Sequence, residues 1–318
     1  MKKALLAWTL TLASTAAFAW PDKPVTLVVP FPPGGPTDTI ARLLAPKLQE
    51  KLGGSFIVEN KAGATGTIGA TAVARSAPDG HTLFVTSLGP LVIVPHLMKS
   101  GMQYDPLKDF DPLTVVVQAP NVLVVPASSP IKNMGDLISQ LKKEPNKISF
   151  ASSGSGSSDH LTAELFWQQT GTSGVHVPYK GGAPAMNDLL GGQVNASFQN
   201  INNVVQHVKA GKLRAFAITS RARSKVLPDV PTTKESGVDN VVVYSWQAVL
   251  APKGLPADIK AKVHGAIVAS LKDPSFSSKF TDQGLEIVGN TPEEFSRFQA
   301  AEFARWKRVI EVGKITAN

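Results

Sequence analysis

The chain has 318 residues, 32 Lys and Arg against 24 Asp and Glu, a formal net charge of +8 and no cysteine. Without cysteine there is neither a disulfide nor a thiolate metal site. The basic surplus is dispersed and lacks the clustered stripe with interleaved aromatics that a nucleic-acid surface requires, so no nucleic-acid partner is expected.

Residues 1–19 read as a removable export signal. Lys2 and Lys3 give a basic start, residues 4–12 an apolar run, and Ala17-Phe18-Ala19 a small-x-small cleavage site before Trp20. No later segment approaches the ~20 apolar residues of a membrane span, and no Cys follows the cleavage site to carry a lipid. A periplasmic protein held together by burial is expected, with length enough for two domains.

After the signal, strand and helix patterns alternate, the signature of a parallel sheet covered by helices. Residues 25–29 read as a buried strand. The cluster Pro32-Pro33-Gly34-Gly35-Pro36 forms a tight turn, and Thr37 or Asp38 caps a helix over 39–52 that stops at Gly53. A second unit follows, with a strand over 55–60, a glycine turn over 61–66 and a helix over 67–76. A third strand is expected at 81–87. Residues 113–118 and 121–125 form apolar runs separated by Ala119-Pro120, which reads as a long strand broken at Pro120 that carries the chain into a second lobe.

That lobe holds helices near 133–143, 159–170, 185–191 and 203–210, and strands near 147–151, 175–178, 194–199 and 213–219. The return crossing is expected at 241–251, followed by amphipathic helices over 256–271 and 292–312 that pack back on the first lobe. The division is therefore a signal at 1–19, a first lobe at 20–119, a second at 120–242, and a return to the first at 243–318.

The helix starts are the chemically informative places. Backbone N–H groups at a helix N-terminus lack internal partners, and the helix dipole adds positive potential, so a glycine turn there suits a carboxylate or phosphate. The turn at 31–38 is one candidate. Ser152-Ser153-Gly154-Ser155-Gly156-Ser157-Ser158 is another. It fails as a nucleophile elbow because Ser153 stands at the first glycine position, and as a dinucleotide fingerprint because Ser157, Ser158 and Asp159 follow Gly156. An anion cradle or a polar capping loop remains.

Ser155 with His160 as nucleophile and base lacks a third, orienting group. His81, His96, His176, His207 and His264 have no metal-ligand spacing. Lys180, in the turn before Gly181-Gly182, either pairs with an anion or is solvated. Trp246 either lines a cleft or packs beneath the crossing strand.

Taken in order, Pro30-Phe31-Pro32-Pro33-Gly34-Gly35-Pro36-Thr37-Asp38, Glu59-Asn60-Lys61-Ala62-Gly63-Ala64-Thr65-Gly66, Ala77-Pro78-Asp79-Gly80, Val177-Pro178-Tyr179-Lys180-Gly181, Gly192-Gln193-Val194, Ala210-Gly211-Lys212-Leu213-Arg214-Ala215 and Asp229-Val230-Pro231-Thr232 resemble the Bug-type periplasmic receptors of the tripartite tricarboxylate transporter family. The likeness runs from about Trp20 to near the C-terminus.

The resemblance implies a periplasmic-binding-protein fold of the second type, two α/β lobes with a ligand cleft between them. It also implies a monomer that passes a small organic carboxylate to membrane permease subunits, with no catalytic residue, cofactor or metal. The ligand residues it implies are Phe31, Pro33, Gly34, Gly35, Thr37 and Asp38, with Thr65, Gly66 and Thr67, on one lobe. On the other they are Ser153, Ser155, Gly156, Ser157, Ser158, His160, Lys180, Gln199 and Asn200.

Family members commonly carry an acid where this chain has Gln199 and Pro where it has Asn202. The amide removes a negative charge near the expected cleft, which favours a plain carboxylate over an amino acid. Two further readings stay open at this point, a secreted serine hydrolase using Ser155 and a ligand sensor on the same fold.

Overall fold

The computed structural model describes residues 20–98 and 101–316; the expected signal segment lies outside them. Strands β1 (Val25–Val29), β2 (Phe56–Asn60) and β3 (Thr82–Ser87) are parallel in the order β2-β1-β3. The apolar run of β1 is buried almost throughout, as for a parallel strand covered on both faces.

Helix α1 (Pro36–Leu52) follows β1, and α2 (Thr67–Ala74) follows β2 through a 3-10 turn at Ala64–Gly66. A π-helical turn at Gly89–Ile93 and the short α3 (Val94–Leu97) follow β3. The cap of α1 is Gly35, with Pro36 at the first helical position, where the missing N–H has no partner to lose. Thr37 and Asp38, expected as caps, sit inside the first turn. Gly53 ends the helix at φ 72, as its sequence position suggests.

Strand β4 (Phe110–Pro126) runs unbroken through Pro120. The expected break is absent because Pro120, paired with Tyr244, lies where β4 changes partners: the ladder with β9 (Tyr244–Pro252) ends there, and those with β7 (Ala196–Asn200) and β8 (Leu213–Ile218) begin just beyond. The missing N–H therefore falls at a junction of ladders. Strand β9 lies between β3 and β4, antiparallel to both.

Beyond β4 the chain builds α4 (Met134–Lys143), β5 (Ser149–Ser152), α5 (Ser158–Thr170), β6 (Val175–Pro178), α6 (Gly182–Leu190), β7, α7 (Ile201–Lys209) and β8. Strands β7, β5 and β6 are parallel neighbours. After β9 come α8 (Ala257–Leu271), α9 (Pro274–Thr281), β10 (Glu286–Ile287) and α10 (Pro292–Gly313); α3, α9 and β10 have no counterpart in the sequence reading.

Helix α8 packs with α1 over β1. Helix α10 differs. Its Phe295, Trp306, Val309 and Ile310 share one core with Val28 and Phe84 and also with Leu161, Phe166 and Trp167 of α5, and Gln168 Nε2 donates to the Val309 carbonyl at 3.0 Å. With 22 residues it spans about 33 Å, long enough to cover strands on both sides of the β4 crossover. Among the described residues no helix is long and apolar enough to cross a membrane.

Candidate ligand-binding site

The sheet register defines where a ligand can sit. In open α/β sheets the crevice lies beyond the carboxyl ends of the parallel strands, where helices begin. Strand β3 ends at Ser87, level with Gln247 and through it with Val117 of β4. Strand β7 approaches from the opposite direction and ends at Asn200, level with Asn121. Measured along β4, the two sets of strand ends stop about 13 Å apart at ~3.3 Å per residue. The starts of α1 and α2 and those of α5, α6 and α7 are thus directed at one gap.

On the first side the turn before α1 is organised by Asp38, only 2% exposed. Its carboxylate accepts from the Gly34 amide at 2.8 Å, Arg42 Nε at 2.9 Å and Asn60 Nδ2 at 2.8 Å. Asn60 Nδ2 also donates to the Phe31 carbonyl at 3.0 Å, tying the turn to the end of β2. The hydrogen bond from Arg42, helped by Gly34 and Asn60 and opposed by burial, holds the Asp38 pKa at about 2. Asp38 therefore shapes the turn, and its acceptor oxygens face its own chain.

The Gly34 amide is occupied and that of Gly35 closes the turn toward the Pro32 carbonyl, whereas the amides of Thr37 and Asp38 meet no acceptor among the described residues. Gly34, exposed at φ 86, occupies the conformation that favours glycine; Gly35, at φ −77, does not. Pro33 is exposed and Phe31 half-buried.

The turn before α2 stands against the first. Gly66, at φ 92, has Pro90 Cγ, Pro30 Cβ and the Phe31 ring so close that a Cβ there would lie 2.7 Å from Pro90. Thr67 Oγ1 donates to the Ala64 carbonyl at 2.9 Å, and Thr65, at φ 54, is exposed.

On the second side Asp159, 4% exposed, does for the serine turn what Asp38 does for the first. Its Oδ2 accepts the amide and hydroxyl of Ser153 at 2.6 and 2.7 Å and the Gln199 amide at 3.2 Å. Ser157 caps α5. His160 Nδ1 accepts from the Gly156 amide at 3.0 Å, which makes the ring part of the turn's frame. Asn200 Nδ2 donates to Asn121 Oδ1 and, at 3.4 Å, to Ser158 Oγ. The amides of Ser155, Ser158 and Asp159 and the Ser155 hydroxyl meet no partner among the described residues.

The turn before α6 is fastened to this one, since the amides of Tyr179 and Gly181 donate to the Ser152 and Ser153 carbonyls at 2.9 and 3.1 Å. Lys180 between them is exposed and makes no ion pair among the described residues. Gln199 is 1% exposed; its amide positions Asp159 and Ser197 and does not project into the gap. The two sides touch at Gly156, φ 79, where a Cβ would lie 2.7 Å from Leu97 Cδ1 and 3.5 Å from Ile93 Cγ2.

Sequence reasoning missed Asn60, Arg42 and Asn203. The first two were findable only through Asp38, and Asn203 through Gly182, which approaches Asn203 Nδ2, Ser153 Oγ and Gln199 Oε1 together.

Trp246 is fully buried and packs edge-on against Phe295 and Phe298 of α10, so it lies beneath the crossing strand. The serine–histidine contact in the molecule is not Ser155 with His160 but Ser152 Oγ with His176 Nε2, at 2.6 Å. Ser152 is buried, and His176 stacks on His160 with ring centroids 3.6 Å apart. Burial, with the charge of His160 adding to it, lowers the His176 pKa to about 3. Among the described residues no carboxylate orients that ring, and a base so weak has little hold on a hydroxyl proton at neutral pH. Among the described residues no group of three or more His, Asp or Glu is placed to hold a metal ion.

A family model described as tripartite tricarboxylate transporter family receptor matches residues 40–315. The chain belongs to that family. Among its relatives, protein BugT of Bordetella pertussis is 41% identical over 299 residues, covering 94% of this chain and 91% of the relative. Rpa4515 of R. palustris, solved with adipate, has a TM-score of 0.83 at 37% identity, covering 93% of this chain and 99% of that one. MatC from Rhodopseudomonas palustris, solved with bound malate, has a TM-score of 0.80 at 33% identity, covering 92% and 100%. The receptor accordingly has the periplasmic-binding-protein fold, two α/β lobes with a ligand cleft between them.

Proposed function

We propose that this receptor captures a small organic carboxylate in the periplasm and delivers it to the membrane permease of a tripartite tricarboxylate transporter. The supporting observation is the pair of opposed turns, each with free helix-start amides and each braced by a buried aspartate. Amides so fixed meet a carboxylate without reorganisation, and the helix dipoles add to the attraction. Two cradles suit two carboxylates; adipate and malate, held by the two structural relatives, each carry two.

In this reading the ligand touches the turns through Phe31, Pro33, Gly34, Gly35, Thr37, Thr65, Gly66, Thr67 and Ser153, and through Ser155 to Ser158. Asp38, His160, Gln199 and Asn200 act by holding those turns, and Lys180 adds long-range attraction.

The protein works as a monomer without chemistry of its own, is released after residue 19, and divides into lobes at 20–119 with 243–318, and at 120–242. Closure bends the segments that cross between the lobes, near Pro120 and residues 242–245.

Calorimetry against mono-, di- and tricarboxylates is the test. A true ligand at 100 times its dissociation constant adds about 2.7 kcal/mol to stability, and a panel without heat or thermal shift refutes the reading.

A further inference from the structure

Where β4, β9, β10 and α10 converge, a cavity of about 510 Å³ is lined by Gln118, Tyr244, Glu286, Phe298 and Arg305, with Arg221 from the loop after β8. None of the turns described above contributes to it. Its charges are unevenly paired. Arg305 is engaged by Glu302 Oε1 at 3.0 Å and by the Val242 carbonyl. Arg221 bonds only through its backbone amide, to the Tyr244 hydroxyl at 3.1 Å, and its exposed guanidinium meets no carboxylate among the described residues. The Glu286 carboxylate receives the Gln118 amide at 2.8 Å and no cation among the described residues.

Burial pushes the Tyr244 pKa up; the hydrogen bond from the Arg221 amide opposes the rise and the Glu286 charge adds to it. One wall thus carries a free cation and an anion that do not pair with each other.

We propose that this cavity is a second ligand site, for a small zwitterion of the α-amino-acid type, its carboxylate on Arg221, its ammonium on Glu286 and its body against Tyr244 and Phe298. A plain anion would gain Arg221 but face Glu286, and a plain amine would gain Glu286 but face Arg221. Only a molecule with both charges satisfies both groups. The volume lies in the ordinary range for small-molecule sites. The assignment is independent of the carboxylate contacts, because none of the turn residues is shared; Val242 and Tyr244 belong only to the segment that bends on closure.

Saturation-transfer NMR on the full protein tests it, with neutral L-α-amino acids as probes and the primary amines and monocarboxylic acids of matching skeleton as single-charge controls. At least one amino acid binds, and its single-charge counterparts bind about tenfold or more weakly. Arg221→Gln and Glu286→Gln each weaken the amino acid by about tenfold or more, as expected for a lost charged contact, while Gly34→Val in the carboxylate turn leaves it bound. The proposal is overturned by a panel in which no amino acid binds, by controls that bind equally, by binding that survives both charge substitutions, or by binding lost in Gly34→Val and kept in Arg221→Gln.

Discussion

One oxygen of the Asp159 carboxylate accepts both the amide and the hydroxyl of Ser153, at 2.6 and 2.7 Å. The chain on either side of Ser153 is thereby fixed before any ligand arrives. Asp159→Ala leaves those two donors facing no acceptor and the Gln199 amide with Ser197 Oγ alone, a loss of about 1–3 kcal/mol in stability. The collapsed turn also weakens carboxylate binding by about tenfold or more, a difference of ~1.4 kcal/mol. Urea denaturation and titration calorimetry measure the two effects; unchanged affinity in a folded Asp159→Ala protein would show that the serine turn does not hold the ligand.

The turn before α1 separates conformational need from charge. Gly34→Val forces a branched side chain into a left-handed conformation, at about 1–3 kcal/mol of strain, and distorts the amides that follow. Gly35→Ala meets only the Pro32 carbonyl at 3.8 Å and keeps an ordinary φ, so the fold retains its stability. Lys180→Ala, at an exposed site, reduces affinity by about threefold or less. If Lys180→Ala abolishes binding while Gly34→Val spares it, a lysine ion pair and not an amide cradle holds the ligand.

Gly156 tests the contact between the two sides. A methyl there strikes Leu97 at 2.7 Å and sits at φ 79, which destabilises the protein by about 1 kcal/mol or more. Leu97→Ala makes room for it. In a double-mutant cycle the pair should lose less than the sum of the single losses; strict additivity would mean that the two residues do not press on each other in solution.

Acid should act on this receptor in two successive windows. His176 has a folded pKa of about 3 against an ordinary 6.5, so the unfolded chain binds the extra proton. Stability is lost as pH falls from 6.5 towards 3, at up to about 1.4 kcal/mol per pH unit. Asp38, lowered from 3.8 to about 2, contributes stability above pH 3.8 that disappears as pH falls through 2. Its share is about 1–2 kcal/mol, because Arg42 lies half in solvent. Unfolding free energies followed from pH 7 to 2 check both. His176→Gln flattens the upper window and Asp38→Asn the lower one; a slope above pH 4 that persists in His176→Gln would assign the upper window to another group.

The alternation of strand and helix, the glycine turns and the stop at Gly53 were legible because each depends on a few neighbouring residues. The division of labour within the turns was not. Asp38 looks like a ligand group in the sequence and Asp159 like the mere start of a helix, yet what buries and occupies both comes from distant strands, through Asn60 on β2 and Gln199 on β7. The periodicity of α10 announces one apolar face but not that two lobes share it. Pro120 reads as a break because the sequence cannot reveal that a change of ladder partner coincides with it.

The placement of β9 between β3 and β4 bears on how the chain comes to be folded. Lobe-two strands β5 to β8 find their partners within their own stretch of chain, whereas β3 must wait for Tyr244–Pro252 before its open edge is covered. Contacts of such sequence separation are slow to form. A chain delivered N-terminus first therefore pairs the strands of its second lobe before β3 gains its last neighbour, and β1 to β3 remain an unfinished, association-prone sheet until nearly the whole polypeptide has emerged.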